Sequence, residues 1–205
     1  MKKKVLENKK KKEENLLKAA FDLLSCKDIQ DVSVDEIVGK AGIAKGTFYL
    51  YYKDKYAIRD ALIQKESASL FTQAFDQLHK NDIRSFEDSV VFVINHVLMQ
   101  LENNLPILRF IQRNLSYGLL HSRLKKAMDE DTYDIFDDFR QRAEASGYHY
   151  EKPEVILYMV VELAGSTCYN AILSDDPLPM EQYKPYLFNA IRSILRSGSP
   201  GPPFC

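Results

Sequence analysis

Apolar side chains recur at helical spacing along nearly the whole chain. Leu16, Leu17, Ala20, Phe21 and Leu24 follow the i, i+1, i+4, i+5, i+8 pattern of one helix face. Ser33 with Glu36 three residues on is a capping-box pattern, in which each side chain satisfies a backbone N–H at a helix start. That second helix is short, because Gly42 stops it. A third helix is predicted over about 45–52, and Asp54 can cap a fourth whose apolar face is Ile58, Leu62, Phe71, Phe75 and Leu78. Ser85 can cap a fifth, with Glu87 and Asp88 in its first turn and Val90, Val91, Ile94, Val97, Leu98 and Leu101 in its body. Pro106 suits the first turn of the next helix, where its missing N–H costs nothing. Leu124, Met128, Ile135, Phe136 and Phe139 lie along another, which Gly147 can end in a left-handed conformation. Pro153 opens the longest apolar helix and Asp175-Asp176-Pro177 closes it. After Pro185, Leu187, Ala190, Ile191, Ile194 and Leu195 form a last amphipathic helix. No segment shows the period-two alternation of a strand, so the expected fold class is all-α.

Composition adds little until the charges are located. The 205 residues suffice for one large domain or two small ones, and 45% of them are hydrophobic, which excludes wholesale disorder. With 28 Lys+Arg against 29 Asp+Glu, the net charge of −1 would argue against a nucleic-acid partner. The distribution reverses that argument. Through Lys55 there are thirteen Lys, no Arg and nine Asp or Glu, a balance of about +4 that leaves about −5 for the rest. Seven of those Lys stand in the first twelve residues, a run that suits a solvated tail, a nucleic-acid-binding arm or a localisation tag.

The start has no secretory apolar stretch, since Glu7, Asn8 and four further Lys interrupt it, and it lacks the Arg of a transit peptide. Residues 155–173 contain Glu162 and several small polar groups, so a buried helix is expected there and not a membrane span. Cys26, Cys168 and Cys205 are odd in number and far apart, as expected of reduced thiols in a cytoplasmic protein. The Gly-, Ser- and Pro-rich end, 198–205, is expected to be a flexible tail.

Residues 32–58 read VSVDEIVGKAGIAKGTFYLYYKDKYAI: a capped helix of about two turns, a turn containing Gly42, and a second short helix. This is the helix-turn-helix pattern, and Gly42 supplies the positive φ of its tight turn. Lys45 and Tyr49 share one face of the second helix, Phe48 and Tyr52 another, and Thr47, Leu50 and Tyr51 a further exposed row. Gly46 costs the helix about 1 kcal/mol relative to Ala. It either ends a turn or admits another surface close to the backbone.

From Ala41 to Lys55 the sequence resembles the tetracycline-repressor (TetR) family of bacterial regulators. The family pattern of Ala-Gly-hydrophobic, small, any, Gly-Thr-hydrophobic-Tyr, any, His-Phe, two residues, then Lys is met by Ala41-Gly42-Ile43-Ala44-Lys45-Gly46-Thr47-Phe48-Tyr49-Leu50-Tyr51-Tyr52-Lys53-Asp54-Lys55, apart from the departures named below. Ala19-Ala20 and Val34-Asp35-Glu36-Ile37 match the preceding helices. The resemblance implies an N-terminal three-helix DNA-binding domain followed by a helical domain that binds a ligand and dimerises. The expected organisation is a basic arm at 1–12, the helix-turn-helix domain at 13–58, the ligand and dimer domain at 59–197, and the tail. It places Lys45, Gly46, Thr47 and Tyr49 at the major groove, with Lys45 able to read a guanine edge and the Thr47 methyl a thymine methyl. It places Ser33, Tyr49, Tyr51 and Lys55 at phosphates, which fix register more than sequence.

Three departures stand out. Ala44 lacks the capping side chain of the usual Ser. Tyr51-Tyr52 replaces His-Phe. Asp28 occupies a loop position that usually holds Gly and tolerates left-handed geometry better than most residues.

The helix over 155–173 is apolar nearly all round and must be buried on more than one side. One side suits its own core. The other, with Ala164, Gly165 and Ser166, suits a second subunit, flanked by Leu187, Ile191 and Ile194. Full burial inside a monomer is the alternative. Candidate ligand residues are the polar or aromatic groups embedded in apolar helices: His96, Met99, Arg109, Gln112, Tyr117, Tyr158, Glu162 and Tyr169. Each also has a plain reading as a satisfied core group, and Arg109 could pair with Glu162. The acidic stretch over 128–138 lacks calcium-loop spacing, the four His are dispersed, and no nucleophile elbow or phosphate loop occurs.

No enzyme activity, metal or cofactor is therefore expected. The expected function is a homodimeric transcription regulator, a repressor released from a palindromic double-stranded DNA operator by a small-molecule effector. The alternative is a DNA-associated protein whose helical domain recruits a protein partner.

Overall fold

The computed structural model describes residues 2–111 and 135–197, with side chains from residue 7 onward. Gln112, Tyr117, Leu124, Met128 and the tail 198–205 lie outside the described residues. The helices are α1 (Lys2–Leu24), α2 (Val34–Ala41), α3 (Lys45–Phe48), α4 (Lys55–His79), α5 (Phe86–Glu102), α6 (Leu105–Ile111), α7 (Ile135–Ala145), α8 (Pro153–Ser174) and α9 (Met180–Ser197), with a short 3-10 turn at Ile29–Asp31. Among the described residues there is no strand, and the fold is all-α. The chain divides into two compact units, Met1–Lys65 and Glu66–Cys205, with the division within α4.

In the N-terminal unit α1 packs on α2 and α2 on α3. The buried set includes Leu16, Ala20, Ile58 and Leu62, which the helical spacing singled out, together with Val32, Ile37 and Phe48. Local chemistry fixes the ends of α2. The Ser33 Oγ accepts from the Glu36 N–H at 3.2 Å, and Glu36 Oε2 accepts from the Ser33 N–H at 2.8 Å. At the other end Gly42 takes φ 66°, and the Ile43 N–H donates to the Val38 carbonyl at 3.0 Å, closing the helix on a left-handed residue. Asp54 Oδ1 accepts from the Ala57 N–H at 2.8 Å at the start of α4.

Three local expectations change. The basic N-terminal segment is helical, continuous with α1, because Lys, Glu and Leu are all good helix formers. The α-helical part of α3 stops at Phe48, though Tyr51 and Tyr52 N–H groups still donate to the Phe48 carbonyl at 2.9 and 3.0 Å. Asp28 needs no left-handed geometry: at φ −65° and ψ 151° its Oδ1 accepts from the Gln30 N–H at 3.1 Å and starts the 3-10 turn.

In the C-terminal unit α8 packs mainly on α9 and also on α7 and α5, and α5 packs on α6 and α9. The start of α5 is tied to the end of α9. Arg196 donates through Nε and Nη2 to the two Glu87 oxygens, each at 2.8 Å, Arg192 pairs with Asp88 at 2.9 Å, and the Tyr148 hydroxyl donates to Glu87 at 2.6 Å. Acids in a first turn thus meet cations in the last turns of another helix, each complementing its own helix dipole. The Arg196 hydrogen bonds hold the Glu87 carboxyl below its ordinary range despite partial burial. Under this clasp Phe86 packs edge-on against Phe139 at 5.2 Å between ring centroids.

Helix α9 begins before Pro185, which sits exposed in its second turn. The Pro179 carbonyl accepts from both the Gln182 and Tyr183 N–H groups at 2.9 Å and starts the helix five residues earlier than the proline suggested. Cys168 is buried on α8, and burial pushes its thiol up to about 11, which keeps it protonated.

Candidate nucleic-acid interface

The α2–turn–α3 segment presents a short row of side chains to solvent. Tyr49 is 52% exposed and Leu50 80%, while Phe48 just before them is fully buried and meets the Tyr49 ring edge-on at 5.4 Å. A methyl built on Gly46 would meet no atom within 4 Å, so nothing inside the protein requires a glycine there. Thr47 is half-buried. Ala44 starts α3 without a side-chain cap, as its residue type dictates.

Four of the residues placed at this face by the family pattern have partners within the fold. The Lys45 ammonium lies 2.8 Å from Asp35 Oδ1, and this carboxylate raises its pKa. Ser33 is occupied by the capping box. Lys55 donates to the Gln30 and Val32 carbonyls at 3.1 and 3.0 Å and stands 5.6 Å from the Tyr56 ring, so two of its three N–H groups hold the loop before α2. The Tyr51 hydroxyl donates to the Lys9 carbonyl at 3.0 Å, and Tyr52 meets Glu13 at 3.3 Å. The tyrosine pair that replaces His-Phe thus ties the end of α3 to the basic part of α1. Burial, with Glu13 beside it, pushes the Tyr52 phenol well above its ordinary range. Lys27 pairs with Glu36 at 2.8 Å, and this bond with the Ser33 contacts lowers the Glu36 carboxyl to about 2. Sequence reasoning missed Asp35 as a member of the face. Ten residues separate it from Lys45, and only the turn at Gly42 brings the two together.

The family model for bacterial regulatory proteins of the tetR family matches residues 16–62. The uncharacterized HTH-type transcriptional regulator YvdT of Bacillus subtilis is 40% identical over 77 residues, which are 38% of this chain and 37% of that protein. A TetR family transcription regulator from Marinobacter aquaeolei VT8 shares the fold with a TM-score of 0.63 at 16% identity, over 92% of this chain and 97% of that one. Residues 16–62 thus carry a tetR-family regulatory domain.

A second fold neighbour is the transcriptional regulator FadR from Bacillus subtilis in complex with stearoyl-CoA, with a TM-score of 0.55 and 17% identity over 92% of this chain and 98% of that one. At such identities the likeness is one of fold. These relatives and neighbours are transcription regulators, not enzymes. The match to YvdT spans little more than a third of that protein's length.

In the C-terminal unit the candidate ligand residues that are described do not converge on one cavity. His96, stacked on Phe92, and Met99 line one open groove of about 420 Å³ together with Leu70, Gln73 and Asn103. Arg109 is exposed on α6. Tyr158, Glu162 and Tyr169 follow the outer row of α8, beside the exposed Val155 and Met159. A small apolar pocket of about 30 Å³ lies among Phe71, Phe75, Phe86, Phe139 and Leu157, and no candidate lines it. A polar group within an apolar helix can face outward when the helix itself keeps an open side.

The residues expected at a subunit interface divide the same way. Ala164, Leu187 and Ile191 are buried in the single chain, within its own α8–α9 packing. A side chain with no accessible surface has none to offer a partner. Gly165, Ser166 and Ile194 retain exposure. Helix α8 is long and apolar enough to cross a membrane, with a mean hydropathy of 1.4 over its central window, and a third of that window is buried. Length and apolarity are properties it shares with the core helices of soluble proteins.

Proposed function

We propose that this chain is a homodimeric, sequence-specific DNA-binding transcription regulator of the cytoplasm, acting as a repressor that a small-molecule effector releases from its operator. The observation that carries this reading is the outward row of Lys45, Gly46, Tyr49 and Leu50, on α3 and the turn that follows it, set by left-handed Gly42 inside the segment that matches the family. In this reading α3 enters the major groove. Lys45 and Thr47 meet base edges, while Tyr49, with the remaining donor of Lys55, meets phosphates. Ser33 and Tyr51 serve the geometry of the face first, since their hydroxyls are engaged within the fold. The helical Lys-rich start of α1 adds affinity that falls with salt.

The domain at 13–58 binds DNA, the arm at 1–12 assists it, and 59–197 carries dimerisation and effector binding ahead of the tail at 198–205. The outer row of α8, Val155, Tyr158 and Met159, with Tyr186 of α9 at 67% exposure, supports a dimer: monomeric proteins rarely leave such apolar rows open. Two α3 helices then address half-sites roughly 34–36 Å apart. An effector releases the DNA by binding better to the dimer whose α3 helices mismatch that spacing. The acyl-CoA held by the FadR neighbour marks one chemical class to screen.

Fluorescence anisotropy on the intergenic DNA upstream of the gene tests the reading. Lys45→Ala and Tyr49→Ala should each weaken binding roughly tenfold or more, the scale of a lost base or phosphate contact. Unchanged affinity in both would show that another face binds.

A second reading is recruitment of a protein partner by the helical domain, favoured by the small size of the apolar pocket under Phe86. About 30 Å³ has room for a water and not for a metabolite. DNA affinity that no metabolite shifts would select it.

A further inference from the structure

Asp35 stands on the first turn of α2 and reaches across to α3, where both of its oxygens approach the Lys45 ammonium, Oδ1 at 2.8 Å and Oδ2 at 2.9 Å. The carboxylate is 70% exposed and the ammonium 52%. A pair this wet contributes little to folding. Nor does the start of α2 require it, because Glu36 already closes the capping box and supplies an acid to the same turn. The effect of the pair must therefore be sought at the surface it faces.

We propose that Asp35 is a specificity-determining residue: by holding Lys45 it suppresses attachment to DNA of arbitrary sequence and releases the cation only where a base edge replaces the carboxylate. This rests on the DNA-binding reading above. A lysine free on a recognition surface attaches to any phosphate and gains by displacing counterions. Paired with Asp35, Lys45 brings no net charge to the duplex, so that gain is absent. A phosphate that draws Lys45 away leaves the Asp35 charge facing the polyanion. A guanine edge differs, since its O6 and N7 offer two acceptors side by side in the major groove and can take the place of the two carboxylate oxygens.

The test uses two probes, a mixed-sequence duplex and an operator enriched by the parent protein from a random duplex pool. Affinity for each is followed by anisotropy over a salt series. At low salt Asp35→Asn should bind the mixed-sequence duplex roughly tenfold tighter, with a slope of log affinity against log salt steeper by about 0.9, the contribution of one unmasked cation. The operator-to-mixed ratio should fall accordingly. Asp35→Ser, which keeps a good residue at a helix start, should behave in the same way. Asp35→Glu should restore the parent ratio. The charge-balanced double variant Asp35→Asn with Lys45→Gln should return the slope to the parent value, which a purely structural role of Asp35 would not produce. If the parent binds both probes and Asp35→Asn moves neither slope nor ratio, the proposal falls and the DNA reading stands. If the parent binds neither probe, both fall.

Discussion

The solvent-facing row on α3 and the one on α8 teach different lessons about exposure. On α3 the row combines a cation, a bare backbone, a phenol and Leu50, and its polar members suit a hydrated, charged partner. On α8 Val155, Tyr158 and Met159 are each between 42 and 46% exposed on a helix whose other face is core. Leaving such side chains in water forgoes roughly 25 cal/mol for each Å² of apolar surface that a partner could cover. The α3 row is stable as it stands. The α8 row gains from a second surface. Both rows are exposed, and only the chemistry of the exposed atoms separates a surface suited to a polyanion from one suited to an apolar face.

The sharpest way to break this comparison is on the α8–α9 side. Ile191→Ala empties a fully buried position and should destabilise the fold by about 2–5 kcal/mol, read by urea denaturation. Met159→Glu should leave the fold intact and halve the mass seen by light scattering. A dimeric Met159→Glu protein would move the interface off α8, and a monomeric, well-folded Ile191→Ala protein would return Ile191 to it.

A smaller effect is expected at the turn before α3. Gly42→Ala meets no steric obstacle, so its penalty is the left-handed backbone alone, about 1–2 kcal/mol. DNA affinity should fall further than stability does, because the turn aims α3. A parallel loss of both would mean that the turn serves folding only.

The smallest effect is the acid response of the α5–α9 clasp. Arg196 lowers the Glu87 pKa in the folded state, so the clasp contributes its full stability above the unfolded value of 4.5 and loses it as the pH falls through the lower folded value. Arg196→Ala should lower the melting temperature modestly at neutral pH, where the clasp is fully formed, and flatten its pH dependence below the unfolded value. An unchanged acid limb would place the acid sensitivity elsewhere, with Glu36, itself held at about 2, as the next group to vary.

How much was legible in the sequence follows from the range of the forces involved. Ser33 with Glu36, Gly42, Asp54, Ser85 and Gly147 act within four residues, and each closes or opens the helix it was expected to. The apolar faces of α1, α4 and α5 were legible for the same reason, since burial follows a period of 3.6 residues. Asp28 was misread because its side chain found a nearer partner in the Gln30 N–H than any left-handed conformation could offer. The Asp35–Lys45, Lys9–Tyr51 and Glu87–Arg196 contacts were not legible at all. Ten, 42 and 109 residues separate these pairs, and no periodicity signals such a partner.

By itself, then, the sequence determined the helical class, the helix ends, the turn at Gly42 and the identity of the residues on α3, because these depend on backbone geometry and near neighbours. The tertiary structure decided which side of an apolar helix stays open. Helix α8 is apolar on every side, so its own pattern could not choose between core and surface. The packing of α7 and α9 chose, burying Ala164 and Ile191 and leaving Tyr158 and Met159 in water. It also decided that Lys45 comes to the surface already paired, since a side chain reaches across a turn only after the two helices that flank it have packed.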